Sequence, residues 1–148
     1  MASGDEVYRA ISRTLHDYCR FVDEGRADEF AALYTHDGVH DDGRSQRAGR
    51  DQIKKLVEGV IARYHSTSHH ASNIDIELID DTRATAWSYI YAWHRAENAP
   101  DLEVWGRYAD QLRLEGGRWR IARRELHVAG IRGLDVDPGF RRLKRASP

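Results

Sequence analysis

Two histidines and one distant carboxylate are the residues of this 148-residue chain best placed by type to do chemistry. The run Thr67-Ser68-His69-His70-Ala71-Ser72-Asn73 lies where a helical pattern stops and a strand pattern begins. Imidazole has an unperturbed pKa of about 6.5, so a histidine held at the mouth of a sheet is a natural proton carrier. Asp23 is its proposed partner: it would accept from one ring nitrogen, fix the tautomer and leave the other nitrogen as a base. Each residue also has a plainer reading. His69 and His70 would then be half-exposed strand-start residues bonded to backbone, and Asp23 a helix-end carboxylate paired with Arg20 or Arg26.

Other chemistries find less support. His65 and His69 share a helix face only if the helix runs past His65, and with His70 they would still need Asp41 or Asp42 from a distant segment, so no metal is expected. Neither a glycine-rich phosphate loop nor Gly-x-Ser-x-Gly occurs. Arg123 and Arg124 read either as anchors for a substrate oxygen or, more simply, as surface partners of acids.

The elements that must position these residues follow from periodicity. Tyr8, Ile11, Leu15, Tyr18, Cys19 and Val22 recur at spacings of three and four, which predicts an amphipathic helix from Asp5 to Glu24 ending at Gly25, with Asp23 at the border of its apolar stripe. A short helix is expected from Ala27 to Leu33, broken by His36-Asp37-Gly38, then a short strand from Val39 to Asp42. Gly49 opens a third helix with Ile53, Leu56, Val57, Val60, Ile61 and Tyr64 on its apolar face. Four strands follow: Asn73 to Ile79, Arg83 to Arg95, Leu102 to Glu115 and Arg118 to Val128, the last two joined by a tight Gly116-Gly117 turn. Counting back by twos from Ile74 puts His70, not His69, on the face of Ile76 and Leu78, unless a bulge before Asn73 resets the count.

Helices followed by antiparallel strands argue for an α+β domain with helices packed on one face of a curved sheet. Residues 1–129 form that domain and 130–148 an irregular basic tail, read as a solvated end. Nearly balanced charge, net -1, gives no general case for nucleic acid or an acidic membrane. A lone cysteine, Cys19, and an N-terminus without an apolar core lead to a cytoplasmic expectation. No apolar run approaches the roughly 20 residues that span a bilayer. Trp87, Tyr89, Tyr91 and Trp93 alternate with Ser88, Ile90, Ala92 and His94, so if the small residues line a cavity the aromatics form an outward patch that calls for a second copy of the chain.

Three segments together resemble the SnoaL-like branch of the ketosteroid isomerase and nuclear-transport-factor-like superfamily, whose members include scytalone dehydratase, lindane dehydrochlorinase and bile-acid dehydratase. They are Tyr18-Cys19-Arg20-Phe21-Val22-Asp23, Thr67-Ser68-His69-His70-Ala71-Ser72-Asn73 and Gly117-Arg118-Trp119-Arg120-Ile121, and the likeness covers about residues 5–128. It implies a cone-shaped α+β barrel, a mainly antiparallel sheet wrapped around three N-terminal helices, with a deep apolar pocket and no metal or organic cofactor. The dehydratase-like dyad maps onto Asp23 and His69, which favours His69 over His70. Tyr18 matches a tyrosine five residues before the aspartate, His94 a second histidine, and Tyr108 the position of a strand amide. Tyrosines that the dehydratases carry on the first strand are replaced near His40 to Asp42.

The expectation is therefore a cofactor-independent lyase, dehydratase-like, acting on a small apolar cyclic or aromatic substrate. His69 would be the base, Asp23 its partner, and Tyr18, His94 and Tyr108 the donors. His70, Leu33, Val57, Ile90, Ala92 and Val104 are the expected substrate contacts. An isomerase or cyclase working through an enolate and a non-catalytic binding or assembly module are the alternatives. The resemblance favours a trimer, with a dimer as the other homo-oligomer.

Overall fold

The computed structural model describes residues 3–147. Ser3 caps helix α1 (Gly4–Asp23): its hydroxyl accepts from the Glu6 amide, and the Glu6 carboxylate accepts from the Ser3 amide at 2.7 Å. Ile11 and Leu15 on the apolar stripe are wholly buried, each contributing about 1.5–3 kcal/mol. There follow α2 (Ala27–Ala32), β1 (Tyr34–Asp41), β2 (Gln46–Ala48), α3 (Arg50–Arg63), β3 (Ser66–Asp80), β4 (Arg83–Arg95), β5 (Leu102–Glu115) and β6 (Arg118–Arg132). No helix among the described residues is long and apolar enough to cross a membrane.

One six-stranded sheet runs in the order β2-β1-β6-β5-β4-β3, antiparallel throughout except for β1 beside β6. The fold is α+β as expected. The curved sheet is open, with β2 and β3 as its edges, and α1 packs on β3 and β6 while α3 packs on β1. Ile11, Leu15, Ala84, Ala86, Leu112 and Trp119 fill one end. Toward the other end the strands carry small or polar inward residues, and the filling stops.

β4 alternates as its sequence dictates: Ala84, Ala86, Ser88, Ile90, Ala92 and His94 are buried, while Trp87 and Tyr89 stay more than two-fifths exposed. Gly116 and Gly117, both at positive φ, close the β5–β6 hairpin.

β2 was not expected, and β6 runs on to Arg132 rather than stopping at Val128; three further departures each have a local reason. β1 begins at Tyr34, because Gly38 does not break the chain but lets it cross closely: a Cβ there would lie 2.9 Å from the Tyr34 Cβ. β3 begins at Ser66 rather than Asn73, since its first half pairs with β4 from Ser66↔Arg95 to Ser72↔Tyr89. Of that half, His69 lines the cavity, while Ser68, His70 and Ser72 lie on the outer face. The segment after β6 is irregular but tied down: the Arg141 amide donates to the Asp42 carbonyl at 3.1 Å and the Val128 amide to the Arg141 carbonyl at 2.7 Å. Leu134, Val136, Pro138 and Phe140 thereby line the open end, a role that the reading of a solvated tail missed.

Between Ser72↔Tyr89 and Asp75↔Trp87 β3 holds one extra residue, a bulge in which Asn73 takes φ 51°. Asparagine tolerates that left-handed conformation and a β-branched residue does not. Asn73→Val is expected to lower stability by roughly 1–2 kcal/mol and Asn73→Gly to change it by less than about 0.5, read from urea midpoints at constant m-value.

Candidate active site

The unfilled end of the cone is a cavity of about 600 Å³. α1 delivers Asp23 to its edge at the last helical turn, and the Asn73 bulge sets which face of β3 meets it. Ile74 and Ile76 pack inward beyond the bulge; before it, His69 and Ala71 take the inner face. His70 turns outward, where it bonds the Ser68 hydroxyl at 2.8 Å and lies against Tyr91.

Asp23 accepts three hydrogen bonds: from His69 Nδ1 at 2.7 Å, from the His69 amide at 2.9 Å and from the Thr67 hydroxyl at 2.7 Å. Partial burial pushes its carboxyl up, but these bonds outweigh that and hold it below the usual value. A carboxylate donates nothing, so Nδ1 carries a proton, and in the neutral ring it is Nε2 that holds the lone pair. The His69 side chain is only 8% exposed, and it meets His94 edge-on with ring centroids 5.0 Å apart. Arg20 and Arg26, the alternative partners of Asp23, pair instead with Asp17 and with Glu24 and Glu29.

Tyr18 and Tyr108 also line the cavity, the Tyr108 hydroxyl donating to that of Tyr18 at 3.4 Å. Behind them lies Arg124, 1% exposed, its guanidinium 4.1 Å from the Tyr18 ring centre and 3.9 Å from that of Tyr108. Asp110 holds it through two bonds of 2.7 Å. Burial pushes both tyrosines up against the pull of Arg124, so their hydroxyls are neutral donors. The surface pairing expected for Arg124 is thus corrected: a bulge between Leu112↔Ile121 and Gln111↔Arg123 turns Arg124 inward and leaves Arg123 to pair with Asp41 and Glu125. Asp110 was not anticipated, although it stands on the same alternation of β5 as Val104, Tyr108 and Leu112.

His94 lines the cavity with its Nδ1 unpartnered, and burial, then its neighbour His69, lower its pKa to about 4. His40 was noted only as a replaced position. It too lines the cavity and is buried, with a pKa lowered to about 4 by burial and then by Arg124. The Tyr34 hydroxyl, 2.9 Å from His40 Nδ1, has no other partner among the described residues and so donates to it. Neutral His40 therefore carries its proton on Nε2, as a second donor.

Of the expected substrate contacts, Ile90, Ala92 and Val104 line the cavity. Leu33 and Val57 do not: Leu33 caps α2, and Val57 points with Ile53 into the core while Leu56 and Val60, on the adjacent stripe of α3, face the cavity. His65, His69 and His70 do not converge. Among the described residues, the cluster with metal-binding reach is His36, Asp37 and Glu115 at the surface, where Arg113 and Arg50 already engage the carboxylates.

Comparison with known proteins gives this arrangement a context. No curated protein matches the sequence. A scytalone dehydratase-like protein of Novosphingobium aromaticivorans is 33% identical, with 95% of each chain covered and a TM-score of 0.88. The hexachlorocyclohexane dehydrochlorinase LinA type 2 shares the fold at 17% identity, with 86% of this chain and 88% of that one covered and a TM-score of 0.78. A protein of unknown function from Mycobacterium tuberculosis does so at 23% identity, 87% and 77% coverage and a TM-score of 0.77. The SnoaL-like domain model matches residues 6–125, nearly all of the α+β cone, and the chain belongs to the SnoaL-like family.

Proposed function

We propose that this protein is a lyase that eliminates water, or a comparably small group, from an apolar cyclic or aromatic substrate without a cofactor. The observation that carries this reading is the Asp23–His69 pair, which ties up Nδ1 and makes Nε2 the basic nitrogen of the neutral ring at the wall of a largely apolar cavity. The likeness to dehydratase and dehydrochlorinase structures supports a small-molecule enzyme of this kind.

His69 Nε2 takes a proton from the carbon next to the leaving hydroxyl, and Asp23 stabilises the imidazolium that forms. The electron pair of the broken C–H bond becomes the new double bond as the C–O bond breaks. Tyr108 donates to Tyr18, so Tyr18 has its own proton free for the departing hydroxyl, which leaves as water. Arg124 behind both rings favours the transient phenolate. After release, the proton on His69 returns to Tyr18 and the site is unchanged. His40 Nε2–H suits a developing oxyanion on the substrate. An isomerase would use the same base but give a product of unchanged mass.

His69→Gln and Asp23→Asn are each expected to lower kcat by roughly 10²–10⁴ with near-UV circular dichroism preserved, in an assay reading a product lighter by one water. Full turnover in both variants would remove the pair from the mechanism.

His40 and His94 make the fold sensitive to acid. Their pKa values are about 4 in the folded chain, against about 6.5 when exposed, so between these limits the unfolded chain binds more protons. Stability is expected to fall as pH drops through that window, and the slope to flatten in a His40→Gln, His94→Gln variant, as measured by urea unfolding at several pH values.

We also infer a homo-oligomer that covers the outer face of β4 and β5, where Trp87, Tyr89 and Trp105 remain 47%, 43% and 38% exposed. Sedimentation at micromolar concentration should give an oligomer, and Tyr89→Glu with Tyr91→Glu should yield monomer. A wild-type monomer, or an assembled double mutant, contradicts the contact.

A further inference from the structure

The charges at the cavity mouth are unbalanced. Arg44, Arg47, Lys55 and Arg63 line it, against the carboxylates of Asp42 and Asp135. Asp42 is engaged: its Oδ1 accepts the Arg44 and Ser45 amides at 2.8 and 2.9 Å, and its Oδ2 lies 3.5 Å from the Arg44 guanidinium. Arg44 also stacks on Phe140, 4.2 Å from the ring centre. Arg47, Lys55 and Arg63 have no ion-pair or hydrogen-bonding partner among the described residues, although the neighbouring Lys54 pairs with Asp28 at 2.7 Å. In a chain of net charge -1, three cations without an ionic partner around one opening, Arg63 over the Tyr64 ring at 5.6 Å, are a local feature rather than a consequence of composition.

The helix between two of these cations is interrupted in an informative way. Lys55, Gly59 and Arg63 follow one another at intervals of four on the exposed stripe of α3 that borders the cavity beside Leu56 and Val60. A glycine inside a helix costs about 1 kcal/mol relative to alanine. Packing does not require it here, since a Cβ at Gly59 would meet nothing within 4 Å. Its effect is a stretch of bare backbone between two cationic side chains whose attachment points lie about 12 Å apart along the axis.

We propose that the ligand of this cavity carries an anion on its apolar body, held at the Lys55–Gly59–Arg63 notch with Arg47 opposite, while the apolar part lies between Ile90, Ala92 and Val104. The anion is either the substrate's own carboxylate or the phosphates of a carrier to which its acyl group is joined. This rests on the reading of the cavity as a lyase site and adds the substrate class to it. A bare hydrocarbon or phenol would leave the three cations unused. An anion would be drawn to them from solution and oriented with its ring toward His69.

Binding separates the two readings, because it needs no turnover. The probes are naphthoate, the neutral naphthamide and the naphthoyl thioester of coenzyme A, titrated calorimetrically into wild type, an Arg47→Gln, Lys55→Gln, Arg63→Gln triple variant and His69→Gln. At low salt the better of the two anionic probes should bind at least about 10-fold more tightly than the amide, and that advantage should vanish in the triple variant and shrink at high salt. A tighter thioester assigns the phosphates, and a tighter free acid assigns the carboxylate. His69→Gln should keep the preference while losing turnover; if it keeps both, the anion site stands and the lyase reading falls. Equal or stronger binding of the amide, a preference that survives in the triple variant, or no binding of any probe at millimolar concentration overturns the proposal.

Discussion

A carboxylate can only accept hydrogen bonds, and that constraint orients the site. Asp23 takes one bond from the His69 ring, one from its backbone and one from Thr67, so the imidazole is fixed in rotation and in tautomer. The bonds run from the last residue of α1 to the first half of β3, which makes them a tie between the helical layer and an edge strand. They require His69 to face inward, and it does so only because one extra residue at Asn73 shifts the alternation of the strand. Loss of the bulge would place His70 where His69 now stands and turn His69 outward.

A second one-residue shift, on β6, has a comparable effect on the opposite wall. It turns Arg124 into the interior, where Asp110 neutralises it and two tyrosine rings enclose it. Burying an ion pair seldom adds much net stability, because desolvation offsets the attraction. Its value here is electrostatic: a fixed positive charge behind Tyr18 and Tyr108 opposes the burial that would otherwise make their hydroxyls still harder to ionise. The same charge helps to keep His40 neutral. One buried cation thus acts on three side chains around one cavity, against burial at Tyr18 and Tyr108 and with it at His40.

What the sequence made legible was periodic. The stripe of α1, the two faces of β4 and the full extent of β5 follow from residue type at spacings of three and four, or of two. What it concealed was aperiodic or inverted. Ser66 to Ser72 reads as a loop because its inward residues meet a cavity instead of a core. Arg124 reads as surface because a charge in a strand usually is. Val57 was taken as a cavity residue although Leu56 and Val60 are, since a helix stripe fixes neither the roll of the helix nor where the filled core ends. His40 was passed over because its partner Tyr34 lies at the far end of the same strand, where the expected break hid the contact.

The central claim is that Asp23 holds His69 as the Nδ1-protonated tautomer with a free Nε2, the reverse of the form that isolated imidazole side chains prefer. Long-range ¹H–¹⁵N NMR spectra of the histidine rings report this directly, assigned by comparison with His69→Gln. The expected result is that the neutral form of His69 carries its proton on Nδ1 and none on Nε2, relaxing toward the Nε2-protonated form in Asp23→Ala. A wild-type His69 protonated on Nε2 alone, or unchanged by the loss of Asp23, would contradict the account.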